Sequence, residues 1–306
     1  MSIDTATRQT LSFLMRRFKE AGIRPRVKFG QNFLIDLNLL HVLFEAAAIT
    51  RDDVVLEVGT GTGSLTALLA GRAAAVVTVE VDPQMFQLAS EELHRCDNVV
   101  MLQVDALKNK NRISPAVLDG VRAQLAAGQG RRLKLVANLP YNIATPILSN
   151  LLDEDIPPLS MTATIQKELA DRITARPGNK DYSALSIWIQ SQCRVEILRV
   201  LPPEVFWPRP KVSSAFIQIT PDETLRRRIA DRAFFHDFVR AMFLHRRKFL
   251  RSQLAIAAKD RLDKPEVDAL LARQNLPGTL RAEQLDVEAM LALGEAVREC
   301  EARNAK

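Results

Sequence analysis

The chain has 306 residues, enough for roughly two domains, and its 47% hydrophobic and 25% charged residues are ordinary globular values that exclude disorder and fibrous repeats. No run approaches the roughly 18 apolar residues of a membrane span, Met1 to Thr10 carries no apolar signal core, and three scattered cysteines exclude a disulfide framework or a zinc cluster; a cytoplasmic, metal-free protein is expected. With 42 Lys and Arg against 36 Asp and Glu, the net charge of +6 leans only mildly toward an anionic partner.

At the amino end, Leu11, Leu14 and Phe18 fall on one helical face while Arg16, Arg17 and Lys19 point elsewhere. That spacing predicts an amphipathic helix, whose simplest role is packing on the domain. Arg24, Arg26 and Lys28 continue the basic run. From Val54 the pattern alternates. Val54–Val58, Val76–Glu80, Val99–Val104 and Leu133–Asn138 are short and rich in β-branched residues, as buried parallel strands are. Between them lie helical stretches at Leu65–Ala70 and Gln84–Leu93 and a connection, Leu107–Arg132, read as one helix with loose ends.

A second cycle places a helix at Ala144–Leu152 and strands at Met161–Gln166, Ser183–Gln192 and Val212–Ile219. Pro202, Pro203, Pro208 and Pro210 mark an extended connection. Beyond Pro221 the strand signal stops, and Ala233–Ala257, Pro265–Arg273 and Val287–Glu301 read as amphipathic helices. A second basic run occupies this segment: Arg226, Arg227, Arg228, Arg232, Arg240, Arg246, Arg247, Lys248 and Arg251. Taken alone it reads as a solvated helix face. The expected fold is α/β, a doubly wound Rossmann-like sheet followed by a smaller all-α C-terminal domain. In such sheets ligands sit beyond the carboxyl ends of the strands.

That is where the motifs fall. Glu57-Val58-Gly59-Thr60-Gly61-Thr62-Gly63 ends the first strand, and Gly59 and Gly61 let the backbone approach a ligand. The dinucleotide fingerprint fails because position 66 is Thr66, and no Gly-Lys-Ser/Thr follows to make a P-loop. A plain tight turn explains the glycines equally well. Glu80, however, ends the second strand, where a ribose diol would be held, and Asp105 follows the third. Either carboxylate alone reads as a helix cap or loop residue. Three successive strands with a suitable group at the same end, and no phosphate-binding lysine, point to a nucleoside without pyrophosphate such as S-adenosylmethionine.

The fourth strand runs into Asn138-Leu139-Pro140-Tyr141. An adenine amino nitrogen is a poor nucleophile, because its lone pair is delocalised into the ring. Acceptors that hydrogen-bond its protons favour a more tetrahedral nitrogen. The Asn138 side-chain oxygen and the Leu139 carbonyl, turned out by Pro140, are suited to this. Tyr141 is placed to stack on an extruded base, worth about 1–3 kcal/mol, against the few kcal/mol that extrusion costs. An ordinary proline turn with a packed tyrosine is the plain alternative.

With these residues the chain resembles the ribosomal RNA adenine dimethyltransferases that modify two adjacent adenosines near the 3′ end of small-subunit RNA. Phe29-Gly30-Gln31-Asn32-Phe33-Leu34, Glu57 to Gly63, Asp105-Ala106-Leu107, Asn138 to Tyr141, Gln166-Lys167-Glu168, Pro177-Gly178, Pro208 to Val212, His245 to Lys248 and Arg281-Ala282-Glu283 carry the resemblance, from Lys28 to about Leu293. It implies that Asn32, Leu34, Gly59, Glu80, Asp105 and Asn138 contact S-adenosylmethionine. It also implies that Phe206 is the second aromatic sandwiching the target adenine with Tyr141; by pattern alone Phe206 is a core residue. The implied domains are an N-terminal extension (1–27), a methyltransferase domain (28–220) and a helical RNA-contacting domain (221–306). The implied substrate is small-subunit RNA in an immature ribosomal particle, where Arg246, Arg247 and Lys248 become phosphate contacts, and the enzyme is expected to be a monomer. Thr60 departs from the usual Pro, Ser213 from a common Asp and Ser183 from a frequent Gly. The Thr60 change puts the stiffness of the glycine turn in question. Three alternatives stay open: single methylation of large-subunit RNA, a non-catalytic RNA-binding assembly or transcription factor, and a nicotinamide dehydrogenase.

Overall fold

A computed structural model describes residues 11–20, 22–23, 25, 30–259 and 261–304. Residues 1–10, Arg24, Arg26, Lys28 and Phe29 lie outside the described residues. In chain order the elements are α1 (Leu11–Glu20), β1 (Phe33–Leu34), α2 (Leu37–Ala46), β2 (Asp53–Val58), α3 (Ser64–Arg72), β3 (Ala75–Val79), α4 (Pro83–Leu93) and β4 (Val99–Leu102). Then follow β5 (Leu107–Asn109), β6 (Arg112–Ile113), α5 (Pro115–Ala126), β7 (Arg132–Asn138), α6 (Ala144–Leu151), β8 (Met161–Gln166), α7 (Lys167–Thr174) and α8 (Ala184–Gln190). The remainder is β9 (Cys193–Leu201), β10 (Phe206–Trp207), β11 (Ser214–Pro221), α9 (Glu223–Arg226), α10 (Arg232–Met242), α11 (Leu250–Ala257), α12 (Lys264–Arg273) and α13 (Val287–Asn304).

Seven strands form one sheet in the order β4-β3-β2-β7-β8-β11-β9, parallel from β4 through β8, with β11 antiparallel to β8. Every residue of β2 and β3 is buried, so the apolar runs that marked them are the requirement of a sheet covered on both faces. The chain winds outward from β2 through β3 to β4, then returns to β7 on the other side of β2. Between β2 and β7 lies the switch point where open α/β sheets bind ligands.

Three segments differ from the sequence reading. Ser183–Gln192 is helical, not a strand: Ser183 and Ser186 form a reciprocal capping box, and the β-branched and aromatic residues are buried on α8. The strand lies just after it, in β9, where Arg194 and Glu196 alternate with less exposed neighbours. The 107–132 connection opens with the β5–β6 hairpin before Ser114-Pro115 starts α5. The single helix expected over Ala233–Ala257 is two, α10 and α11, separated by a turn in which Arg246 donates to the carbonyls of Lys180 and Tyr182 at 2.9 and 3.1 Å.

By packing, the chain forms two compact units. Among the described residues, one comprises those up to Ala170 together with 196–220 and contains most of the sheet; the other comprises 171–195 and those from Pro221 onward. Residues 171–195 thus group with the helical segment, although they precede the break at Pro221. The helical unit has its own core, including Phe238, Val239, Met242, Leu254, Leu270, Met290 and Val297, all at most 1% exposed. In the sheet unit, Leu14 and Phe18 of α1 are buried against Phe33, Met85 and Leu88, and the Phe18 ring meets Phe33 and Trp207 edge-on at 5.3 Å. No helix among the described residues is long and apolar enough to cross a membrane.

Candidate active site

The strand ends around the switch point line a cleft of about 860 Å³, counting its open mouth. Glu57 and Val58 line it from β2, Glu80 from β3, Asp105 from beyond β4 and Asn138 to Pro140 from β7, while Gly30 to Leu34 form the remaining wall. Of the residues expected to hold a cofactor, Asn32, Leu34, Gly59, Gly61, Glu80, Asp105 and Asn138 all line this one cleft. Among the described residues the lining contains no histidine.

The glycine turn is held to the strands on either side. Gly59 adopts φ +88°, and a Cβ there would lie 3.2 Å from Cδ and Cγ of Pro140, so only glycine lets the β7 bend come this close. Its N–H donates to the Val79 carbonyl at 2.9 Å, and the Gly61 N–H donates to Glu80 Oε2 at 3.1 Å. Glu80 Oε1 accepts from the Asp82 N–H at 2.9 Å. Two backbone amides thus orient the Glu80 carboxylate and leave it further lone pairs for hydroxyl donors. Burial raises its pKa against these two bonds, and the Asp82 charge raises it further.

Asn138 carries the most informative detail. Its Nδ2 donates to the Asn32 carbonyl at 2.8 Å, which sets the amide's orientation and turns Oδ1 the other way. Oδ1 is buried and has no hydrogen-bond partner among the described residues. An unmet buried acceptor costs about 1–3 kcal/mol, so a donor supplied by a ligand fits here. Leu139, the next residue, donates its N–H to the Thr164 carbonyl, and Pro140 O accepts from Ile143, making the bend. Tyr141 is half-buried outside the cleft lining, with its hydroxyl 2.5 Å from Ser214 Oγ; burial pushes its pKa up.

Phe206 is not brought to the cleft. It is 2% exposed, opposite Leu34 in the β1–β10 pair, and packed with Leu40, Leu43 and Val205 in the core, so it has no free face on which a base can stack. The pairing of two short strands far apart in sequence decides this, and it agrees with the plain pattern reading of Phe206. Two contributors to the site's architecture were not singled out from sequence. Asp82, 1% exposed, caps α4 through the Gln84 N–H and receives Gln31 Nε2 at 3.3 Å; the Asp-Pro helix start was its visible signal. Glu57, 1% exposed, accepts the hydroxyls of Thr66 and Thr78 on Oε2 at 2.5 and 2.7 Å. Burial pushes its pKa up to about 8, against those two bonds and with help from the Glu80 charge.

The basic runs are less free than their composition suggested. Arg17 pairs with Glu91, Arg228 with Glu288, Arg251 with Asp268, and Arg226 is buried on Gln192. Arg246 pairs with Glu283 at 3.0 Å besides its two carbonyl contacts. Arg247 and Lys248 are exposed in the α10–α11 turn.

Residues 22–292 match the family model described as ribosomal RNA adenine dimethylase. The chain is 36% identical to a Geobacillus thermodenitrificans protein, ribosomal RNA small subunit methyltransferase A, over 97% of this chain and 98% of that one. It is 37% identical to the protein of the same name from Listeria monocytogenes over 94% of each. Among solved structures, a dimethyladenosine transferase from Plasmodium falciparum superposes with a TM-score of 0.69 at 23% identity, covering 84% of this chain and 94% of that one. The 23S rRNA methyltransferase ErmE superposes with a TM-score of 0.59 at 22% identity over 87% of this chain and 99% of that one; both likenesses concern the fold. With a family model spanning most of its length and relatives above one-third identity end to end, the chain belongs to the ribosomal RNA adenine dimethylase family.

Proposed function

We propose that the protein is an S-adenosylmethionine-dependent methyltransferase that dimethylates the amino nitrogens of two adjacent adenosines near the 3′ end of small-subunit ribosomal RNA, within an immature particle. Family membership supports the reaction class, and the unpartnered Asn138 Oδ1 is the single observation that carries the chemistry. The residues fit the cofactor: Glu80 has acceptor capacity for a ribose diol, Asp105 lines the cleft as an acceptor for an adenine amino group, and the Gly59–Gly61 backbone leaves room for close approach. When bound, S-adenosylmethionine supplies a methyl group on a strongly activating sulfonium.

The chain's own task is therefore positioning. Asn138 Oδ1 accepts a hydrogen bond from the target amine and draws its lone pair out of conjugation. After the first transfer the amine keeps one N–H, which the same oxygen still accepts, so one acceptor serves both rounds. Tyr141, which follows Pro140 of the cleft wall and has its hydroxyl tied to Ser214, is the aromatic that stacks on the extruded base. Arg247 and Lys248 contact RNA phosphates, while Arg246 holds their turn in shape.

The decisive experiment incubates the protein with immature small subunits and labelled S-adenosylmethionine, followed by nucleoside analysis. Dimethyladenosine is expected from the wild type. Asn138→Ala should lower turnover by orders of magnitude with little change in RNA affinity. Near-normal dimethylation by that variant removes Asn138 from the mechanism.

A further inference from the structure

Thr60 is flanked by two glycines in left-handed conformations, Gly59 at φ +88° and Gly61 at φ +57°. Such a segment has little intrinsic stiffness. Its backbone anchors are the Gly59 and Thr60 N–H groups, which share the Val79 carbonyl at 2.9 and 3.3 Å. The Thr60 side chain adds another. It is 4% exposed, and its hydroxyl lies 2.7 Å from Thr78 Oγ1.

The direction of that bond follows from counting protons. A threonine hydroxyl has one proton to give, and Thr78 gives its own to Glu57 Oε2. With the proton of the neutral Glu57 carboxyl on Oε1, Oε2 accepts from Thr78 and Thr60 is the donor to Thr78. Thr66, in the first turns of α3, donates to the same Glu57 oxygen. The result is a buried relay, Thr60 to Thr78 to Glu57, joined by Thr66, that ties the glycine turn to β3, β2 and α3 at once.

Resting on the reading of the cleft as the cofactor site, we propose that Thr60 is a positioning residue: its hydroxyl, through Thr78 and Glu57, holds the Gly59–Gly61 backbone in cofactor-binding geometry, doing by hydrogen bonding what a proline ring does by covalent restraint. The adjacent Gly61 N–H orients Glu80, so slack at Thr60 passes directly to the carboxylate offered to the ribose.

The test measures S-adenosylhomocysteine binding calorimetrically, with thermal melting of each variant alongside. Thr60→Val keeps the shape, removes the donor and leaves Thr78 Oγ1 unmet; affinity should fall about tenfold, the factor that loss of one buried hydrogen bond gives. Thr60→Ser restores the hydroxyl and should recover affinity to within about twofold. Thr60→Ala, which introduces no new bulk, carries the same expectation as Thr60→Val if the latter does not fold. Wild-type affinity in a folded variant lacking the hydroxyl overturns the inference, even if its melting temperature is lowered. So does a Thr60→Ser protein as weak as the hydroxyl-free variants. Absence of binding by the wild type overturns the cofactor reading of the cleft, and this inference with it.

Discussion

Replacing Glu57 by glutamine should change how the protein's stability responds to pH. In the fold its carboxyl is 1% exposed and ionises near pH 8, because burial penalises the charged form more than the Thr66 and Thr78 hydroxyls favour it. In the unfolded chain it ionises near its ordinary value of 4.5. Between those two values the folded protein holds one more proton than the unfolded chain, so stability falls as pH rises. A full proton difference is worth about 1.36 kcal/mol per pH unit. The difference is nearly complete at pH 6 and about half at pH 8, so the wild type should lose about 2 kcal/mol over that interval through Glu57. Glutamine is uncharged throughout and removes this slope while keeping an acceptor for the threonines. Thermal unfolding of both proteins at pH 6, 7 and 8 reads the effect, expected as a Tm gap that shifts by about 4–8 °C in the variant's favour. Parallel loss of stability by the two proteins would show that Glu57 is ionised in the fold, and the reasoning from its burial would fail.

Three further outcomes follow from the geometry. Gly59→Ala forces a side chain into φ +88° and to 3.2 Å from Pro140, so it should cost about 1–3 kcal/mol and weaken cofactor binding; an unchanged melting curve and titration would contradict the account of the bend. Arg247→Glu with Lys248→Glu should weaken RNA binding and lower its salt slope by about one for each phosphate no longer neutralised, whereas Arg246→Ala should chiefly lower melting temperature; an unaltered slope in the first protein makes that turn a solvated surface. Lys134 Nζ sits 3.0 Å from the fully buried Asp53 and on the Ala47 and Ala48 carbonyls, so Lys134→Met should destabilise by about 3 kcal/mol at neutral pH. Burial pushes the Asp53 pKa up, but the bonds from Lys134 and Thr50 outweigh it and hold it below the ordinary value, so this stabilisation is present at neutral pH and lost as pH falls through the acidic carboxylate range; the gap between wild type and variant should close there.

The alternation of β-branched runs with amphipathic stretches determined the parallel strands β2, β3, β4, β7 and β8 by itself, because parallel strands covered on both faces need unbroken apolar sequence, whereas the edge strand β9 was not marked by it. The cleft was legible for a related reason: its residues stand at the ends of those strands, so locating β2, β3, β4 and β7 also located Gly59, Glu80, Asp105 and Asn138. Local pattern did not decide α8, whose apolar, β-branched run suits a strand until its serine capping box and buried packing select a helix. Nor did it decide which arginines are free, since Glu283, Glu288 and Asp268 lie 37, 60 and 17 residues from the cations they neutralise. Asn138 Oδ1 became an unmet acceptor and Thr60 the head of a relay only when distant strands came into register, and the same register kept Phe206 in the core its pattern suggests and away from the cleft. Hydrogen bonds and burial depend on separation in space, and between remote segments only the folded chain sets that distance.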